Sequence, residues 1–575
     1  MKILCLHVDY IEWQGLKKAV KSMDDLPPNE LSKKKVQEAL VVLTAVESGD
    51  SVGILEEYVK NVKEIAESVG TKKIVLYPYA HLSNNLSSPK DAISVLELAE
   101  KKLKEDNYEV SRAPFGYYKT FELKVKGHPL SELSREIVFK GNEEKEKDLT
   151  LEERKKLWRI MGKNRVQSIR GKDGMKSNVE LGKELDLYIV NEVVGQGLPL
   201  FTPKGTAIKR EIERFIVDEE LKRGYEHTST PILAKSDLYK ISGHWQHYKD
   251  GMFILKVGKE DFALRPMTCP FQFVLYKRKP RSYKDLPKKY AEIATLFRSE
   301  QSGELRGLTR VRQFTLADAH LICTPEQVEK EFFGVIDLIN YVMKTFGIEV
   351  WYQFSKWDPK NEGGKYVDNP EAWEKTQQSM KKILDKLKIK YVEKEGEAAF
   401  YGPKLDLQYK DVYGKEDTLI TVQIDFALPD KFGMTYLDKD GKEKTPIIIH
   451  RSSTGATERV ISYLLEKTQG NLPLWISPVQ VRILPMSEKN NLFAEKIKGK
   501  LLEEGLRVEI DESNESLGKK VRNAQIERVF YMVTIGDKEE ESNTISLRSR
   551  DGSLEHGLNM TKFVSRLKKE IKNRK

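Results

Sequence analysis

Residues 295–314 read Thr295-Leu296-Phe297-Arg298-Ser299-Glu300-Gln301-Ser302-Gly303-Glu304-Leu305-Arg306-Gly307-Leu308-Thr309-Arg310-Val311-Arg312-Gln313-Phe314. An apolar run ends in an arginine, a polar glycine-containing loop follows, and an arginine-rich run returns to Phe314. That order predicts a strand–loop–strand hairpin. Its guanidinium groups suit phosphate and its carboxylate suits an amino group. Spacing alone also fits a salt-bridged surface hairpin. Further on, Gly455-Ala456-Thr457-Glu458-Arg459-Val460-Ile461 sets a glycine turn ahead of an apolar helix with an early arginine. Helix N-termini attract phosphate, but this signal is weak when taken alone.

Outward from the hairpin, Lys204–Lys222 carries an apolar helical stripe that stops at Arg223-Gly224, and Tyr225–Pro231 reads as an extended strand closed by proline. The runs Phe253–Val257, Val311–Phe314, Ala398–Tyr401, Thr418–Phe426 and Ile447–His450 have β character, with few helices between them. This predicts an α+β core over 179–470, an antiparallel sheet with helices packed on it. At the N-terminus, strands and helices alternate: Val36–Val46 and Lys73–Tyr77 as strands, Ile54–Val69 and Pro89–Lys104 as helices. That predicts an α/β domain over 1–142. The dense mixed charge of Glu143–Lys156 opens a solvated linker, 143–178. Beyond Gly470-Asn471-Leu472-Pro473, alternating strands and helices predict an α/β domain over 471–575. The fold class is therefore α/β and α+β, in several domains.

A length of 575 residues allows roughly three to five folding units, and 39% hydrophobic content excludes a disordered chain. No run of about 18 uncharged apolar residues predicts a membrane span, and Met1–Asp9 reads as a strand, without the apolar core of a signal peptide. Three cysteines, Cys5, Cys269 and Cys323, cannot build a disulfide framework and point to a reducing cytoplasm. The net charge of +10 is unevenly spread: residues 1–150 hold 23 basic and 25 acidic side chains. The basic excess thus lies in the remainder and favours an acidic partner such as nucleic acid. Residues 478–575, with 20 basic and 16 acidic side chains, are only mildly basic.

Taken together, Phe-Arg-x-Glu in the hairpin and Gly-x-x-x-Arg before the helix resemble motifs two and three of class II aminoacyl-tRNA synthetases. The helix and strand ending at Pro231 are similar to motif one, which in that class builds a dimer interface around its proline. The resemblance implies a class II antiparallel-sheet catalytic core. It assigns Arg298 to the α-phosphate and the substrate carboxylate, Glu300 to adenine, and Phe314 to stacking on it. Arg459 would hold the γ-phosphate, with Arg310 also in the ATP site.

The segments Leu264-Arg265-Pro266-Met267-Thr268-Cys269-Pro270, Leu316-Ala317-Asp318-Ala319-His320 and Ile447-Ile448-Ile449-His450-Arg451 look like the zinc-ligand segments of threonyl-tRNA synthetases. Phe400–Lys404 and Thr421–Phe426 are similar to further pieces of that family's amino-acid pocket. The resemblance implies one zinc per subunit on Cys269, His320 and His450, with Asp318, Tyr401 and Gln423 around threonine. Without these flanking matches, one cysteine and two distant histidines read as ordinary core or surface residues. Three protein ligands leave open positions on zinc, which in this family the threonine amine and hydroxyl fill. Valine lacks the hydroxyl and is rejected. Serine keeps it, and one methyl group is worth only about 1–3 kcal/mol, so accurate charging calls for a second, hydrolytic site.

The stretches Ile3–Asp9, Tyr77–Ser83, Ala113–Lys119 and Gly127–Arg135 are similar to the archaeal-type editing domain, which shares a fold with D-aminoacyl-tRNA deacylases. His81, Tyr118, Lys119 and Glu132 fall on its pocket positions. Lys119 is expected to position ester and water, and the RNA 2′-hydroxyl to assist. His128 reads as a turn residue before proline. The last segment resembles a class IIa anticodon-binding domain, with Asn514, Glu541 and Arg550 at its base-contacting positions, where guanidinium and amide groups suit unstacked bases. Lys568–Lys575 reads as a solvated helix end. Two positions depart from bacterial relatives: Leu316 stands in place of a polar residue and Ala456 in place of serine.

The expectation is a threonine–tRNA ligase that uses ATP with Mg²⁺, L-threonine and tRNA(Thr), hydrolyses mischarged seryl-tRNA(Thr), and works as a cytoplasmic homodimer without membrane contact. The alternatives are another class IIa synthetase, prolyl or seryl, and a catalytically inactive RNA-binding paralogue. Zinc disfavours the first alternative. Intact Arg298, Glu300 and Arg459 disfavour the second.

Overall fold

The computed structural model describes residues 1–575 apart from 21–24, 48–49, 51–53, 84, 138–148, 162–173, 361–363 and 575. Much of the charged stretch 143–178 therefore lies outside the described residues, although helix Leu151–Met161 covers one part of it. The chain divides into two units, Met1–Glu153 and Arg154–Lys575. No described helix is long and apolar enough to cross a membrane.

In the first unit a six-stranded sheet has the order Glu109–Arg112, Lys73–Pro78, Lys34–Ala45, Lys2–Lys18, Tyr117–Val125, with Glu132–Glu136 also pairing with Lys2–Lys18. Alternation along the strands splits the apolar residues into two sets. Ile3, Cys5, Leu40, Val42, Ile74 and Leu76 pack under helices Leu55–Ser68 and Pro89–Glu105. Val8, Ile11, Trp13, Val41, Val75 and Tyr77 make a second cluster. Ser88 caps the second helix by accepting from the Asp91 amide, with Pro89 in its first turn.

The second unit is built on an eight-stranded sheet. Its order is Tyr391–Lys394, Val350–Ser355, Lys404–Lys410, Glu416–Asp425, Ile447–Ala456, Gln313–Cys323, Lys288–Phe297 and Glu226–His227. Only the outermost pair at each end is parallel. One face is apolar, with Ala291, Ala319, Leu321 and Ile449 packed with Ile212, Phe215, Phe332 and Val335 of helices Pro203–Lys222 and Val328–Phe346. The polar residues of the same strands are left for the other face. In register, Lys404 lies beside Gln423, Gln423 beside His450, His450 beside His320, and His320 beside Tyr290. One row thus crosses five strands.

A smaller sheet carries the C-terminal segment, in the order Val508–Ile510, Val481–Pro485, Tyr531–Ile535, Ile545–Ser549, Leu554–Leu558. Its first three strands are parallel and the rest antiparallel. The expected combination of antiparallel-rich and mixed sheets in several domains is what the molecule has.

Three local expectations need correction. Ala398–Tyr401 is a tight turn with one isolated bridge between Ala399 and Gly402. The turn presses against strand Glu416–Asp425, where a Cβ on Gly402 would meet the Ile424 carbonyl oxygen at 1.9 Å. The second hairpin strand begins at Gln313 and runs on to Cys323, because Arg312 is used to close the loop, its carbonyl accepting from the Arg298 amide at 2.9 Å. The tail is not simply solvated. The Arg574 guanidinium lies 4.9 Å from the Phe215 ring and 4.8 Å from the Trp475 ring.

Candidate functional site

The polar face of the large sheet floors an open cavity of about 490 Å³. The hairpin supplies one wall. The Arg298 guanidinium lies 5.1 Å from the Phe314 ring, and its Nε is buried without a hydrogen-bond partner. An orphaned guanidinium nitrogen is costly unless an anion completes it. Glu300 accepts from Arg310 Nε at 2.9 Å and pairs with its Nη2 at 2.8 Å. The facing wall is the turn at Gly455, whose φ of +76° and a Cβ that would meet the Leu419 oxygen at 2.1 Å leave room only for glycine. Helix Thr457–Thr468 starts there, and its Arg459 donates to the carbonyls of Thr309 and Thr418.

Leu316 and Ala456 are register partners on neighbouring strands and pack with Phe314. The two departures from the bacterial pattern thus form one apolar contact.

Cys269, His320 and His450 are buried, and their ligand atoms lie within 4.8 Å of one another. The two imidazole rings are 4.7 Å apart and nearly perpendicular. Cys269 is the first residue of helix Cys269–Lys277, where the positive end of the helix dipole favours a thiolate. Burial pushes the Cys269 thiol well up and the His320 imidazole well down from their usual ranges. Each histidine has one ring nitrogen hydrogen-bonded, His320 Nδ1 to Gln272 and His450 Nε2 to Asp425. The other nitrogen of each is spare. One sulfur and two unprotonated nitrogens form a donor set that fits zinc.

Asp318 shares the face of His320, two residues away, and burial raises its carboxyl to about 6. Tyr401 donates to Gln423 Oε1 at 2.5 Å and lies 5.1 Å from the His450 ring. Arg298, Glu300, Arg310, Phe314, Asp318, Tyr401, Gln423 and Arg459 therefore line one cavity with the three metal-type residues. Two further lining residues were given no role in the sequence, although Lys404 ends the Phe400–Lys404 segment. His244 is buried, its ring 5.2 Å from Phe400, and burial lowers its imidazole to about 3. Lys404 stands in the row beside Gln423 and pairs with Asp406 at 3.0 Å. His244 has no local motif. The Phe400–Lys404 segment had already marked the region of Lys404, and the sheet register places it beside Gln423.

In the first unit, Tyr77, Tyr79 and His81 form an aromatic chain, with centroid distances of 6.4 and 5.4 Å. Lys119 Nζ lies 5.1 Å from the Tyr77 ring and donates to the carbonyls of Pro114 and Tyr117. Burial lowers the Lys119 ammonium to about 8. Tyr118, next to it at a register shift in the strand pairing, is 64% exposed. Glu132 is exposed at the start of strand Glu132–Glu136, opposite Leu6. His128 is not an idle turn residue, because its Nε2 lies 2.8 Å from His7 Nδ1. In the C-terminal segment Asn514 and Glu541 are exposed. Arg550 is half-buried, with its guanidinium 4.6 Å from the Phe530 ring and Nη1 donating to the Leu472 carbonyl.

Known proteins resemble the chain along most of its length. Residues 1–137 match the archaea-specific editing domain of threonyl-tRNA synthetase, 253–468 the class II tRNA synthetase core domain (G, H, P, S and T), and 480–570 an anticodon-binding domain. A threonine–tRNA ligase of Clostridium botulinum (strain Eklund 17B) is 56% identical over 397 residues, 68% of this chain and 62% of the relative. One from Clostridium perfringens (strain SM101) is 54% identical over 400 residues, 69% and 62%. The chain therefore spans about three fifths of the length of these relatives. The crystal structure of the RNA-binding domain of threonyl-tRNA synthetase from Cryptosporidium parvum Iowa II aligns with a TM-score of 0.65 and 33% identity, covering 69% of this chain and 98% of that one. With its hairpin, its glycine turn and its Cys–His–His cluster on one sheet face, the chain belongs to the threonyl-tRNA synthetase family, in the form that carries an archaeal-type editing domain at its N-terminus.

Proposed function

We propose that the chain activates L-threonine with ATP, transfers it to the terminal adenosine of tRNA(Thr), and hydrolyses seryl-tRNA(Thr) in its N-terminal domain. The observation that carries this reading is one cavity that holds an orphaned arginine, a second arginine at a helix start, and a Cys–His–His donor set. Arg298 holds the α-phosphate and the amino-acid carboxylate, so its free Nε gains an anionic acceptor on binding. Arg459 holds the γ-phosphate. Glu300 leaves its pairing with Arg310 in part to accept from the adenine amino group, and Phe314 stacks on the base. Adenylation then needs alignment and charge stabilisation, with no general base from the protein.

Cys269, His320 and His450 would hold one zinc, which supplies a Lewis-acid site for the amine and hydroxyl of threonine. Asp318 orients those groups, and the Tyr401–Gln423 pair closes the pocket around the methyl. Magnesium arrives with ATP. His81, Tyr118, Lys119 and Glu132 serve the editing reaction, Lys119 by donating to the ester. Asn514, Glu541 and Arg550 meet anticodon bases, Arg550 after exchanging the Leu472 carbonyl for a base. The working division is editing 1–142, linker 143–178, catalysis 179–470 and anticodon reading 471–575.

A homodimer through the region of Pro231 is supported by exposed apolar side chains there: Ile232, Leu233, Ile254, Leu255 and Val257. A cytoplasmic location is supported by three buried free cysteines.

Amino-acid-dependent pyrophosphate exchange tests the whole reading. Threonine should drive it far above proline, serine or valine, and zinc should measure about one per chain. A prolyl or seryl preference, or failure of the zinc-loaded protein to charge tRNA, overturns it.

A further inference from the structure

The two histidines of the Cys–His–His cluster are held from behind by different devices. His320 Nδ1 lies 2.6 Å from Gln272 Oε1, and Gln272 is fully buried. Gln272 Nε2 donates to Thr228 Oγ1 at 2.8 Å. The Thr228 hydroxyl proton is directed at two acceptors, the Ala291 carbonyl at 3.3 Å and Glu292 Oε2 at 3.2 Å. Glu292 is in turn paired with Arg265 at 2.8 Å, both of them buried, so it is an acceptor only. Thr228 therefore offers Gln272 a lone pair, the amide must turn its NH₂ towards Thr228, and its oxygen must face His320. The proton of a neutral His320 is thereby placed on Nδ1, and Nε2 is left bare.

His450 is held the opposite way. Asp425 is fully buried, and its Oδ1 accepts from the amides of Ala427 and Leu428, each at 2.9 Å. That leaves Oδ2, 2.8 Å from His450 Nε2. The proton of His450 sits on Nε2, and Nδ1 is bare.

We infer that Gln272 and Asp425 are positioning residues that lock the two ligand imidazoles in opposite tautomers, Nε2 of His320 and Nδ1 of His450 facing the metal. Thr228, three residues before Pro231, sets the sense of the Gln272 amide. The inference rests on the metal reading above and goes beyond it, because none of these three residues touches substrate or metal. Partners of this kind typically change metal affinity by about 10–100-fold. One is a neutral amide wired to an ion pair and the other is a carboxylate, so they fail in different ways when altered.

The test measures zinc content of the purified full chain and its release to excess chelator. A cobalt-substituted sample gives a thiolate charge-transfer band as an independent readout. Gln272→Leu and Asp425→Asn should each release metal about 10–100-fold faster, and Thr228→Val about 10-fold faster. Gln272→Glu keeps an acceptor for His320 and should return release to near the wild-type rate, a rescue that a purely structural role for Gln272 would not predict. If Gln272→Leu fails to fold, Thr228→Val carries the same arm, with a thermal melt as control. Wild-type protein without metal overturns the metal reading and this inference together. Wild-type protein with metal, and Thr228→Val and Asp425→Asn both releasing it at the wild-type rate, overturns this inference alone.

Discussion

The two candidate sites of the molecule are built on opposite plans. The pocket on the large sheet draws residues from positions 244 to 459, and most of its donors are buried or tied to partners before anything binds. The site in the N-terminal unit sets a desolvated Lys119 beside Tyr77, whose ring leads through Tyr79 to an exposed His81. The first plan suits a reaction carried by fixed charges, where alignment before binding lowers the barrier. The second suits hydrolysis of an ester delivered from outside, where water must enter.

The sharpest way to break this contrast is Arg298→Ala. It should lower threonine-dependent pyrophosphate exchange by about 10²–10³-fold while leaving deacylation of seryl-tRNA unchanged. Loss of deacylation as well would mean that the two sites are not separate machines. Conversely, deleting residues 1–142 should preserve threonine charging and prolong the lifetime of seryl-tRNA by about 10²-fold, the contribution of well-placed polar groups to a hydrolysis. An unchanged lifetime removes editing from the N-terminal unit.

A subtler difference concerns pH. Burial lowers the Lys119 ammonium to about 8. As a hydrogen-bond donor it works in the charged form, so deacylation, corrected for background hydrolysis, should fall as pH rises through about 8. Lys119→Arg, which stays protonated, should abolish that fall. A profile that rises through the same range would instead make the neutral amine the active form.

The smallest effect expected lies away from both sites. Glu527 is held down to about 2 by Arg482 and Lys204. A depressed carboxylate adds stability above its unfolded value of about 4.5, and this is lost as pH falls from there towards 2. Partial exposure screens the pair, so Glu527→Gln should cost about 1–2 kcal/mol in urea denaturation at pH 7, a cost that shrinks as pH falls and vanishes only below about 2. An equal loss across that range would point to packing.

The hairpin at Arg298, the glycine turn at Gly455 and the helices around them were legible because each is a local pattern with a local cause. The Tyr401 turn was misread, since β-type composition cannot reveal that a glycine is pressed against the Ile424 carbonyl. The capture of Arg550 by Leu472 was not legible, because it needs two segments to meet. His244 was missed for the same reason, since it carries no motif. Lys404 lay in a segment already marked, but only register brings it beside Gln423.

The order of residues, with the family resemblance it carries, marked most of the strands and helices, the phosphate-type arginines, and the cysteine and histidines of the cluster. Tertiary structure alone decided that Lys404, Gln423, His450 and His320 form one row, that Leu316 meets Ala456, and that Gln272 and Asp425 stand behind the two imidazoles. The physical reason is range. Periodicity, glycine turns and helix starts act over a few residues. Sheet register and the completion of buried hydrogen bonds join residues far apart in the chain, and they take effect only when the sheet has closed.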